Sequence, residues 1–149
     1  MKVVHNDLVV LANNATWACT DSKLIFIDDD FYNLPNNVKK FVLAHEKGHV
    51  VLKHSVYAEN NWFNESMADN YAFEHVGVEP TKEFISIAEE LIVENDVDDT
   101  VFNFRLSKLK HMVNVKETTK TIINSGDKER IDSLLEMFNE VINIFDGGK

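Results

Sequence analysis

One cysteine, two prolines and five glycines are all that this chain of 149 residues has of those types. A lone thiol, Cys19, excludes an internal disulfide and fits a reducing compartment. Cys19 itself, beside Trp17 and Ala18, reads as a small strand residue rather than a nucleophile. No apolar run approaches the roughly eighteen residues that a membrane-spanning helix needs. The stretch Met1 to Asp7 lacks the sustained apolar core of a signal peptide. A cytoplasmic location with no membrane partner is therefore expected. Cations are scarce too: 15 Lys and Arg stand against 25 Asp and Glu, for a formal net charge of −10. A surface that acidic repels phosphate backbones, so no nucleic-acid partner is expected. What is present in ordinary amount is hydrophobic residue, 44% of the chain, enough for one domain with a core.

Against this background one pentapeptide stands out. His45-Glu46-Lys47-Gly48-His49 reads H-E-x-x-H. On an α-helix, positions four apart lie nearly above one another, so the two imidazoles share a face and can grip one ion. Glu46 sits beside them, where it can take a proton from a water. Two neutral imidazoles and a carboxylate are the requirement of zinc-assisted hydrolysis. The context supports a helix. Pro35 followed by Asn36 and Asn37 reads as a start signal with an Asn cap. Val38, Phe41, Val42, His45, His49 and Leu52 then recur at helical spacing, which puts both histidines on the buried stripe. Gly48 weakens a helix, a cost tolerable where a second backbone or a substrate comes close.

A catalytic zinc keeps three protein ligands and one open position. Glu65, sixteen residues after His49, stands where a returning second helix would bring a third ligand. Asp69 is one turn further on the same face. It can accept the free N–H of a ligand histidine and fix its tautomer. An acidic first helical turn, favoured by the helix dipole alone, is the plainer reading of these two residues.

The segments HEKGH and NESMAD together resemble the gluzincin arrangement, in which H-E-x-x-H is completed by a glutamate in E-x-x-x-D on the next helix. More narrowly, the chain resembles the ImmA/IrrE family of small cytoplasmic metallopeptidases. The likeness covers roughly residues 24 to 112. It includes the strand Leu24-Ile25-Phe26-Ile27, the run from Phe41 to His49 with His54 nearby, and Glu65 to Ala72. It continues with Pro80, Asp96 to Asp99 and the helix-turn-helix-like stretch Phe104 to Leu109. Met67 departs from a position often acidic in the family, and Val76 to Glu79 is less apolar than usual. The resemblance implies a regulatory endopeptidase that cuts a protein partner such as a transcriptional repressor, in phage or mobile-element settings.

The implied architecture is α+β. A small N-terminal sheet packs on a zincin-type active-site helix and a glutamate helix over residues 1–80, and a helical region follows over 81–149. Val3-Val4, Leu8 to Leu11, Thr16 to Cys19 and Leu24 to Ile27 make the first third β-rich, with a turn at Asp21-Ser22-Lys23. An edge strand above the metal helix would hold substrate by main-chain bonds, and any of these strands could serve. Asp28-Asp29-Asp30 reads as a solvated loop rather than a cation site. The glutamate helix is expected over about 63–76, ended by Gly77. Pro80-Thr81 opens a further helix, and Asp98-Asp99 caps another. Arg105, Lys108, Lys110 and His111 form a modest basic cluster, read as part of a structural helix pair or a protein-recognition platform. Ile131, Leu134, Leu135, Phe138, Val141, Ile142 and Phe145 keep helical spacing in the last helix, and that row needs a partner surface: the same domain, a homodimer or another protein.

With Zn2+ as the cofactor, the expected roles are ligands at His45, His49 and Glu65, a general base at Glu46 and a supporting carboxylate at Asp69. Tyr57, His54 and His75 are candidate donors to the oxyanion. A non-catalytic docking module built on the same fold, or a peptidase kept latent by its own C-terminal segment, remains open on the sequence.

Overall fold

The computed structural model describes residues 1–13, 15–54, 62–96, 99–125 and 128–145. Their order is β1 (Lys2–His5), α1 (Asp7–Ala12), β2 (Ala18–Thr20), β3 (Leu24–Ile27), α2 (Asn36–Val51), α3 (Trp62–Val76), α4 (Val78–Asn95), α5 (Thr100–Ser125) and α6 (Lys128–Phe145). A mostly helical chain with one small sheet belongs to the α+β class, as expected. It divides into two units, Met1–Leu109 and Lys110–Lys149, and the division falls inside α5. Residue 81, where the helical region was expected to begin, lies inside α4. There Phe84 stacks on Phe41 of α2 with ring centroids 4.2 Å apart, so α4 belongs to the core of the first unit.

In that unit β3 is the central strand, parallel to β1 and antiparallel to β2. Its Ile25 and Ile27 face the core, as the period of two requires. The hairpin between β2 and β3 is set by Asp21, whose Oδ1 accepts the N–H of Lys23 and of Leu24 at 2.9 and 2.8 Å. Two expectations for this region need correction. Leu8 to Leu11 is helical. Asn6 accepts the Val9 N–H at 3.2 Å and starts α1, and a four-residue apolar run cannot by itself tell strand from helix. The second strand begins only at Ala18, because Trp17 has φ 71° and donates its N–H to Asp28 Oδ2 at 3.0 Å. Asp28 also accepts the Phe31 N–H at 2.9 Å, so this acid braces the loop rather than standing free in water.

Helix α2 starts one step earlier than its sequence suggests. Pro35 takes the capping position, with no side-chain cap bond, and Asn36 is the first helical residue. Asn37 instead donates from Nδ2 to Glu83 Oε1 of α4 at 2.9 Å. Val38, Phe41, Val42 and His45 are buried along one stripe, and α3 and α4 pack against this helix. Gly48 marks its closest approach to α3. A Cβ there would lie 3.1 Å from Tyr71 Cβ and 3.2 Å from Ala68 Cα, so the second backbone is what requires the glycine. Helix α3 ends at Gly77 with φ +83°, a conformation that L side chains rarely adopt. Pro80 then falls in the first turn of α4, where its missing N–H costs nothing. Asp99 caps α5 by accepting the Phe102 N–H at 3.1 Å.

The second unit holds the rest of α5 and α6. Of the expected apolar row on α6, Leu134 is buried, while Leu135, Phe138 and Ile142 are exposed. Among the described residues no helix is long and apolar enough to cross a membrane.

Candidate metal centre

The two histidines of α2 meet one carboxylate of α3. His45 Nε2 lies 3.1 Å from His49 Nε2 and 3.1 Å from Glu65 Oε2, and His49 Nε2 lies 3.4 Å from Glu65 Oε1. Tetrahedral zinc bonds of about 2.0–2.1 Å put neighbouring donor atoms roughly 3.3 Å apart. The three side chains thus stand at the spacing a single ion demands. They could hold one with no change of helix geometry.

Each ring has a partner on its far nitrogen. His45 Nδ1 is 2.7 Å from Asp69 Oδ1, a carboxylate with no exposed surface. His49 Nδ1 is 2.8 Å from His54 Nδ1. The chain brings His54 there by closing α2 with Lys53 at φ 58°, so that the His54 N–H donates to the His49 carbonyl at 2.9 Å. Both rings therefore turn Nε2 towards a common point. The Asp69 carboxylate on Nδ1 fixes for His45 the tautomer that metal binding at Nε2 needs, and His54 does the same for His49 when its own proton is on Nε2.

Arg105 of α5 completes the cluster. Its Nε and Nη2 donate to Asp69 Oδ2 and Oδ1 at 2.8 and 2.9 Å, and its Nη1 is 3.3 Å from Glu65 Oε2. Next along that helix, Lys108 donates to the Ser66 carbonyl at 3.2 Å. The expected basic cluster is thus divided. Arg105 and Lys108 turn inward onto α3, while Lys110 and His111 are exposed. Nothing local in the sequence pairs Arg105 with Asp69, which stands 36 residues earlier.

The electrostatics follow from burial and pairing. Burial alone would lower the His45 pKa, but Asp69 and Glu65 raise it to about 10. Burial would raise Asp69, but Arg105 and His45 hold it at about 2. Glu65 is likewise held well below the usual carboxylate range, against its burial, by the two histidines and Arg105. Burial pushes Glu46 upward, and the neighbouring histidines only partly offset this. His54 moves down through burial and the nearby His49, which favours its neutral form. Cys19 on the edge strand β2 is pushed up to about 11 by burial and then by the charge of Glu46. Strand β2 packs on α2, the helix that carries Glu46.

Of the three candidate oxyanion donors, Tyr57 lies outside the described residues. His54 has its Nδ1 committed to His49. His75 bonds the Tyr71 carbonyl at 2.8 Å and stacks on its ring. It sits ten residues past Glu65 on α3, about 15 Å along the axis, so it cannot reach the cluster. A second group, His5, Asp7 and Asp29, is gathered on the surface, with His5 Nε2 2.8 Å from Asp29 Oδ1. It lacks the burial and the outer supports of the first. No family model, curated protein or solved structure matches this chain.

Proposed function

We propose that this protein is a zinc-dependent endopeptidase of the ImmA/IrrE kind, cytoplasmic and regulatory, that cuts a protein partner such as a transcriptional repressor. The observation that carries the reading is the mutual spacing of His45 Nε2, His49 Nε2 and the Glu65 carboxylate, each set within 3.4 Å of the next. A zincin-like arrangement accounts for it, with the H-E-x-x-H helix crossed by the glutamate helix and the short sheet alongside.

His45, His49 and Glu65 would hold the ion. When bound there, zinc would acidify a water and polarise a peptide carbonyl. Glu46 does the proton work. Its buried carboxylate, made more basic than usual by burial, accepts a proton from the water that adds to the carbonyl carbon. It then delivers that proton to the amine nitrogen as the C–N bond breaks. Asp69 holds the His45 imidazole in the required tautomer, and His54 braces His49 through Nδ1. The free edge of β2 next to α2 offers main-chain groups to an extended substrate, which gives affinity without a strict sequence.

The test compares cells expressing the wild type with cells expressing Glu46→Gln. The wild type is expected to carry one zinc per chain by elemental analysis and to create new protein N-termini. Glu46→Gln is expected to keep the zinc and create none. Purified wild type without stoichiometric zinc would end this reading. A docking module with a non-catalytic zinc site is the alternative, favoured by the exposed Leu135, Phe138 and Ile142 on α6. It is the outcome if wild type and Glu46→Gln give the same N-termini.

A further inference from the structure

Three nitrogens of one guanidinium serve two carboxylates that have different duties. Nε and Nη2 of Arg105 grip both oxygens of Asp69, and Nη1 faces Glu65 Oε2. Asp69 is the residue that orients His45, and Glu65 is a proposed ligand. Both come from α3, one turn apart, whereas Arg105 comes from α5, 36 residues beyond Asp69 in the chain. On its other side the Arg105 Cζ lies 5.4 Å from the ring centroid of Phe102, on its own helix. The arginine is therefore held as firmly as it holds.

Resting on the metal-site reading above, we infer that Arg105 is a positioning residue for the metal centre, setting Asp69 and Glu65 in the orientations that ion binding needs and making α5 part of the site.

The chemistry of the alternatives supports this. Without Arg105, Asp69 would be a buried anion left with His45 Nδ1–H and the charge of Lys108. Such a carboxyl takes up a proton or turns, and either change frees the imidazole to rotate or to choose the wrong tautomer. Glu65 would lose one of the two contacts on Oε2 and keep those to the two imidazoles. A lysine at this position would keep the charge but has one nitrogen in place of a planar fork, so it cannot reproduce the two-nitrogen grip on Asp69 together with the contact to Glu65. The inference thus separates geometry from charge. Arg105→Lys retains the second and loses the first.

The experiment uses the full chain with Co2+ as the probe ion, which reports ligand geometry in its visible absorption. Wild type, Arg105→Lys and Arg105→Gln are titrated in competition with a chromophoric chelator, and folding is checked by circular dichroism. We expect Arg105→Lys to bind Co2+ roughly 10–100-fold more weakly than wild type, with a changed absorption spectrum. Arg105→Gln should be weaker still. Wild-type affinity and spectrum in the folded variants would overturn the inference while leaving the metal-site reading intact. Wild type that binds neither Co2+ nor Zn2+ would overturn both. Should the variants fail to fold, the wild type itself decides: the Arg105 Nε–H resonance is expected to shift on Zn2+ addition and to exchange slowly. A resonance that does not move with the ion counts against the role.

Discussion

His45 and His49 lie one helical turn apart and turn Nε2 to the same point, yet their surroundings differ in kind. The His45 side is sealed. Its ring meets a fully buried carboxylate, and that carboxylate is clasped by a guanidinium from another helix. The His49 side is more open. Its ring meets a second imidazole, only partly buried and kept neutral. A buried charge network must be complete, because losing one member strands the others. A neutral acceptor near the surface can be lost with water taking its place. The sealed side should therefore govern whether the protein folds, and the open side how tightly it holds an ion.

The largest expected effect breaks the sealed side. Asp69→Ala removes the only carboxylate that Arg105 grips with two nitrogens and leaves His45 without its partner. Breaking a buried ion pair by removing one partner costs about 3–5 kcal/mol. Urea denaturation of the metal-free protein should show a loss of that size. A loss under about 1 kcal/mol would mean that water reaches Asp69 readily and that the contrast between the two sides is false.

On the open side, His54→Ala should leave the urea midpoint of the metal-free protein nearly unchanged. Zinc affinity should fall about tenfold, the lower end of what losing an outer hydrogen-bond partner of a ligand costs. Chelator competition measures it. Loss of stability on the scale of Asp69→Ala would make the two sides equivalent.

Gly48→Ala probes the seam that both sides share. The exchange gains about 1 kcal/mol of helix propensity. It also forces a methyl to 3.1–3.2 Å from Tyr71 Cβ and the Ala68 backbone, neither of which is a flexible chain end. Overpacking of this type costs about 1–3 kcal/mol, so a net loss of about 1 kcal/mol is expected. Zinc affinity should drop as well, because α3 carries Glu65 away with it. A more stable variant with unchanged affinity would show that the helices part at no cost to the site.

Each side was half legible in the amino-acid sequence: Asp69 was expected beside a histidine, whereas His54 was expected as an oxyanion donor and not as the partner of His49. His45, Glu46, His49 and the helix that carries them follow from a spacing of four and an apolar stripe, both local properties. Glu65 and Asp69 follow from the same rule applied once more. Gly77 and Asp99 show themselves because a left-handed residue and a cap leave a chemical trace at one position. Arg105 left no such trace. Its partners stand 36 and 40 residues earlier, and only the tertiary path of α5 joins them. Leu8 to Leu11 was ambiguous for a different reason. Four apolar residues fit strand and helix alike, and the deciding group was the side chain of Asn6. On α6 the period was clear but its partner was not, since an amphipathic row says that a face is apolar and nothing about what covers it.

The smallest effect concerns protons and tests the sealed side without mutation. In the metal-free protein the pKa of His45 stands at about 10 against an ordinary 6.5. A raised folded-state pKa contributes stability that is complete below 6.5 and is lost as pH rises through about 10. Asp69 behaves oppositely. Held at about 2 against an ordinary 3.8, it contributes stability above 3.8 that is lost as pH falls through about 2. Between these limits the metal-free site keeps a proton on His45, and an ion can take Nε2 only by displacing it. Zinc uptake at pH 7.5 should therefore release about one proton per ion. Calorimetric titrations in two buffers of different ionisation enthalpy count that proton. A count near zero would mean that His45 is already neutral, and that Asp69 spends its charge on Arg105 rather than on the ligand ring.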